Sequence, residues 1–92
     1  MSYKKVSHLL IMDTKKLNQE IQLYILNIIN DQFMYSDEIV EKCIEIYKDK
    51  ISTPNPKLTI KNQIKVLSDG KLVAYYHGYK ITPKGKALLL ES

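Results

Sequence analysis

Arginine and tryptophan are missing from this sequence altogether, cysteine occurs once, and glycine and proline, three of each, are confined to the second half. Each shortage excludes something. Because all fourteen cations are lysine, no forked guanidinium is on hand for bidentate contacts to guanine or phosphate. The lone Cys43 forbids an internal disulfide. It has no companion at metal-ligand spacing, and His8 and His77 stand far from it and from each other, so no zinc site is expected. No apolar run reaches the ~18 to 20 residues that a bilayer span requires. The opening MSYKKVSHLLIMD has too short an apolar centre for a leader and no small-residue cleavage signal. The expectation is a soluble, cytoplasmic chain with no membrane association. Its 92 residues, 45% hydrophobic and 26% charged, are enough for one modest core, so one domain and one site are sought.

What is present is unevenly distributed. Residues 1–50 carry seven lysines against eight acids, net −1, whereas residues 51–92 carry seven lysines against two acids, Asp69 and Glu91, net +5. A local excess of this sign points toward a polyanion, with plain solubility as the alternative reading of the same charge. No internal repeat or low-complexity tract accompanies it.

Hydrophobic spacing then divides the chain. Over residues 14–30, Leu17, Ile21, Tyr24, Ile25 and Ile28 recur at helical intervals, with Asp13 or Thr14 available to cap the first turn. Leu23, Leu26 and Ile29 widen the apolar arc, which marks either the central helix of the domain or a contact surface for another chain. Residues 1–13 form an N-terminal extension in which VSHLLIM is a candidate for a short extra helix. DQFMY is short and β-inclined. Ser36 reads as the N-cap of a second helix over residues 37–49, with Asp37 and Glu38 at its positive end and Tyr35 and Val40 placed as a hydrophobic staple. Its inward face would be Ile39, Val40, Cys43, Ile44 and Tyr47. A polar loop with two prolines follows. A third helix, residues 56–69, starts either at Asn55 with Pro56 in the first position or at Thr59, repeats Ile60, Ile64 and Leu67, and stops at Asp69-Gly70. Its opposite face carries Leu58, Thr59, Asn62, Lys65 and Val66, flanked by Lys61 and Gln63.

Residues 72–82 read as a hairpin, with strands 72–76 and 79–82 joined by His77-Gly78, where a tight turn needs positive φ. Tyr76 and Tyr79 would then be cross-strand partners, and alternation would send one of Tyr75 and Tyr76 inward. Thr82 caps a short last helix, residues 83–91, with Pro83 at its first position and Gly85 weakening it slightly. No paired carboxylate, nucleophile-base set or phosphate-cradling loop is in evidence, SDGK at 68–71 lacking the required spacing. Neither an enzyme nor a cofactor is expected. Cys43 reads as a small buried hydrophobe and His77 as a turn residue.

A basic helix lying beside a basic hairpin makes a surface suited to a groove flanked by phosphates. TIKNQIKVLSDGKLV followed by YYHGYKITPKGKALL resembles the recognition helix and wing of winged helix-turn-helix regulators, the group that includes MarR-like and PadR-like repressors and small archaeal and phage regulators. The matching features are Thr59-Ile60 opening the helix, Ile64 and Leu67 in its core, Leu72-Val73 entering the wing, and Tyr79-x-Ile81-Thr82-x-Lys84-Gly85 leaving it. The resemblance covers about residues 16–90. Two departures accompany it: a long loop between the second and third helices, and His77 at the wing tip where many relatives carry arginine or lysine.

The resemblance implies an α+β fold, a three-helix core with a two-stranded wing and a C-terminal helix. It also implies sequence-selective binding of double-stranded DNA by a homodimeric transcriptional regulator, with the third helix in the major groove. Thr59, Asn62 and Lys65 would face the groove, with Lys61 and Gln63 next. Asn and Gln can pair two hydrogen bonds with adenine and Val66 can pack on a thymine methyl, so AT-rich sites are favoured. Lys57, Tyr76, His77, Tyr79 and Lys80 would position the wing, chiefly through phosphates. The competing expectations are a winged-helix protein-docking module, working through the first helix and the ALLL end, and a partition or replication adaptor that binds DNA repeats cooperatively.

Overall fold

A computed structural model describes the backbone of residues 2–92 and the side chains of residues 14–92. The order is α1 (Ser2–Ile28), α2 (Ser36–Tyr47) running into a 3-10 turn (Lys48–Lys50), α3 (Pro56–Asp69), β1 (Val73–Tyr75), β2 (Tyr79–Ile81) and α4 (Pro83–Glu91). It is an α+β fold of four helices and a two-stranded antiparallel hairpin. The VSHLLIM segment, expected as a candidate short extra helix, is continuous with α1 in its backbone, while its side chains, His8 and the packing of the extension lie outside what is described.

Ile21, Ile25, Leu26 and Ile29 of α1 are buried, while Leu17, Tyr24 and Ile28 pack half-buried around them. The broad apolar arc has an internal explanation, because α1 packs on α2, α3 and α4 at once. The described part of α1 is therefore the central helix. From α2 the core receives Ile39, Val40, Cys43 and Tyr47; Ile44 is only partly covered. The cap of α2 differs from expectation by one residue. Tyr35, in extended conformation, is the N-cap, and its N–H donates to the Glu38 carboxylate at 3.1 Å, so Ser36 is already helical. The staple positions thereby pass to Met34 and Ile39, both buried.

Ile51, buried at the end of the 3-10 turn, anchors the long loop before α3. Asn55 caps α3 by accepting the Leu58 N–H at 3.2 Å, and Pro56 takes the first position, where its missing N–H costs nothing. At the other end Gly70 stays right-handed and the left-handed residue is Lys71, with φ 62°.

The hairpin is shorter than the sequence predicts, by one residue at each end of its first strand and by one at the end of its second. The register is Val73↔Ile81, Ala74↔Lys80 and Tyr75↔Tyr79, which leaves a three-residue loop, 76–78. Tyr75, not Tyr76, is the partner of Tyr79, with ring centroids 5.1 Å apart and edge-on. Neither Tyr75 nor Tyr76 enters the core: they are 64% and 76% exposed, because the strand has already run past the core edge at Val73. His77 and Gly78 both have positive φ, as expected. Met34 adds a third position to the sheet. It exchanges both backbone hydrogen bonds with Tyr79, at 2.7 and 3.1 Å, so the β-inclined DQFMY segment is tied to the far edge of β2.

The base of the hairpin is fastened by the TPKG segment. Thr82 donates its hydroxyl to the carbonyls of Lys71 (2.8 Å) and Leu72 (3.0 Å) and accepts the Gly85 N–H at 3.1 Å, capping α4. Lys84 reaches the Gly70 carbonyl at 3.1 Å, a cation at the negative end of α3. Gly85 does more than weaken a helix. A Cβ there would fall on the Leu72 carbonyl oxygen and 2.8 Å from Ile81 Cγ1, so glycine is what lets α4 approach the hairpin.

Candidate nucleic-acid interface

The buried stripe of α3 is Ile60, Gln63, Ile64 and Leu67. The opposite side is open: Lys57, Leu58, Lys61, Asn62, Lys65 and Val66 are all exposed, Leu58 and Val66 to about half. Asp69, in the last turn, is the sole acid of α3, and Lys65 pairs with it at 3.2 Å across one helical turn. Both partners are well exposed, so this pair adds little to stability. Its consequence is local, since it directs the Lys65 ammonium toward the C-terminal end of the face.

Two of the residues expected in the groove lie elsewhere. Gln63 is 7% exposed and accepts a 2.7 Å hydrogen bond from the Gln22 amide of α1, which turns it into the helix-helix interface and away from the open face. Thr59 is half-buried, and its hydroxyl bonds the Thr53 hydroxyl at 2.7 Å, closing the loop that precedes α3. The wheel put Thr59 on the outward face and Gln63 at its margin, and packing drew both in. Asn62, Lys61, Lys65 and Val66 remain together outside, with Lys57 at the N-terminal end.

Among the expected hairpin contacts, Tyr76, His77 and Lys80 are exposed, with Tyr76 and His77 edge-on at 4.8 Å. Tyr79 is half-buried and packs against the core, so it is a structural residue of the sheet. Sequence reasoning overlooked Phe33 and Tyr35, which flank buried Met34 and are 52% and 54% exposed. The available signal was the alternation within DQFMY, which sends these two rings away from Met34 once that residue is in the sheet.

Cys43 is fully buried and its thiol is pushed up to about 12 by burial, which makes it a poor nucleophile. Tyr24 and Tyr47, edge-on at 5.7 Å, are likewise raised by burial. Among the described residues no three His, Cys, Asp or Glu side chains gather to hold a metal ion, and no helix is long and apolar enough to cross a membrane. Comparison of the chain with protein families, curated proteins and solved structures found no match.

Proposed function

We propose that the protein is a small winged-helix regulator that binds double-stranded DNA as a homodimer, with α3 in the major groove and the hairpin acting as a wing over the adjacent backbone. The observation that carries this reading is the composition of the open face of α3: from Lys57 to Val66 it offers lysines, an amide and two apolar side chains, with no acid among them. Lysines on a helix often do no more than keep it in solution. Here they stand on the helix whose C-terminal end is fastened to the hairpin through Thr82 and Lys84, so both elements can meet one duplex in a fixed relation. In this reading Asn62 and Val66 read bases, an adenine edge and a thymine methyl, while Lys57, Lys61, Lys65 and Lys80 meet phosphates.

The test is fluorescence anisotropy against a labelled duplex from the protein's own upstream region and a scrambled duplex, over a salt series. Specific regulation requires discrimination on the order of a thousandfold. Lys61→Ala should weaken binding to both duplexes and reduce the salt slope by about one. Weak, equal binding to both, unaffected by Lys61→Ala, would overturn the proposal. Half-exposed Leu58 and Val66 on the same face favour protein docking as the second reading, and complete absence of duplex binding would select it.

A further inference from the structure

Beside the hairpin, with no residue of α3 in its lining, a hollow is lined by Asn30, Gln32, Phe33, Lys80 and Lys86, with Asp31 as its only acid. Phe33 is its aromatic wall. One side of the ring lies against the hairpin turn, where a Cβ on Gly78 would come within 2.6 Å of Cδ2, while about half of the residue stays in solvent. Tyr35 supports it edge-on at 6.3 Å. Aromatic residues suit strands for packing reasons alone, yet this ring is held by its Cδ2 edge against a turn, with open space beside it and two lysines from different elements, β2 and α4, lining the same hollow.

A pinned aromatic face, flanking amides and a surplus of cations is the chemistry that receives an unpaired nucleobase with its phosphates. We propose that this hollow takes an unpaired nucleotide of single-stranded DNA, with the base stacked on Phe33 and the neighbouring phosphates on Lys80 and Lys86. Asn30 and Gln32 line the same hollow with their amides, that of Gln32 donating to the Ile28 carbonyl at 3.4 Å and keeping its oxygen for the edge of a base. Exposed Tyr76, at the hairpin tip, offers a second stacking surface for the next base along the strand. Apart from Lys80 and the tip, these residues are not those of the α3 face, so duplex binding and strand binding can fail independently.

The test uses the full chain and a labelled twelve-nucleotide thymidine strand, compared with an abasic deoxyribose-phosphate strand of the same length and charge. The thymidine strand should bind at least about fivefold tighter, the lower bound for one stacked base. Phe33→Leu should narrow the gap between the two affinities at least about fivefold without changing duplex affinity, and Lys86→Ala should weaken both strands alike. Equal affinity of the wild-type protein for thymidine and abasic strands overturns the proposal, and this comparison needs no variant to fold. Free thymidine monophosphate competing as well as the strand would also overturn it, by making the ligand a nucleotide and not DNA.

Discussion

The side-chain amide of Gln22 in α1 donates to the side-chain oxygen of Gln63 in α3 at 2.7 Å, joining the central helix to the proposed recognition helix through two residues of the same type. Gln63 is the only polar residue among the described buried ones, so its worth depends on keeping that partner. Gln63→Ala should cost about 1 to 3 kcal/mol in urea unfolding, while duplex affinity of the folded protein changes by less than about twofold. Unchanged stability with a large loss of DNA affinity would return Gln63 to the groove.

Gly85→Ala should destabilise the fold by about 1 to 3 kcal/mol, because the added methyl meets the Leu72 carbonyl, a backbone atom that cannot step aside. Gly70→Ala is the control. Its φ is −81° and the nearest heavy atom to the new Cβ is 3.4 Å away, so its effect should be within about 1 kcal/mol of zero. Thermal melts of the two variants should therefore differ clearly, and equal melts would refute the close approach of α4 to the hairpin.

Burial of the Cys43 thiol gives a stability that depends on pH. The unfolded thiol ionises near 9 and the folded one near 12, so the folded state holds its proton longer. The resulting stability is complete below about pH 9 and is lost as pH rises toward 12. Between pH 7 and pH 10.5 wild type should lose about 2 kcal/mol more than Cys43→Ala, each normalised to its own value at pH 7. Denaturant titrations at the two pH values measure this, and a thiol reagent should label Cys43 only at the rate of unfolding. Rapid labelling of the native protein would contradict the burial.

Lys65 is paired with Asp69, and in the proposed complex a DNA phosphate would compete for the same ammonium. Asp69→Asn should free the ammonium and remove a negative charge from the face, raising duplex affinity by about threefold at low salt and less at high salt. Stability should hardly change, as the pair is exposed. Unchanged affinity across the salt series would place Lys65 away from the DNA.

The helices were legible in the sequence because their signals are local: Asn55-Pro56 capping α3, the Ile60, Ile64, Leu67 stripe, and Thr82-Pro83 opening α4. The hairpin was legible in outline through His77-Gly78, but its pairing was not. Whether Tyr75 or Tyr76 faces Tyr79 depends on how many residues the loop takes, and three residues, not two, are left over once Val73 has entered the core. Gln63 and Thr59 were misplaced for a related reason. A helical wheel assigns faces from one helix alone, whereas the fates of these side chains are decided by Gln22 and Thr53, residues the wheel does not contain. The Thr82, Lys84, Gly85 pattern was noticed as a resemblance, and its physical content emerges from contacts to Gly70, Lys71 and Leu72, which precede it by about a dozen positions.

The backbone exchange between Met34 and Tyr79 fixes an order of events during synthesis. The partners are separated by nearly half the chain, so α1, α2 and α3 have all emerged while the peptide groups of Met34 still lack their partner. Until β2 arrives, that short segment, with Phe33 and Tyr35 on either side, is an open strand edge able to pair with another copy. The acids around it, Asp31, Asp37 and Glu38, put like charge on that edge, which disfavours such pairing until Tyr79 closes the sheet.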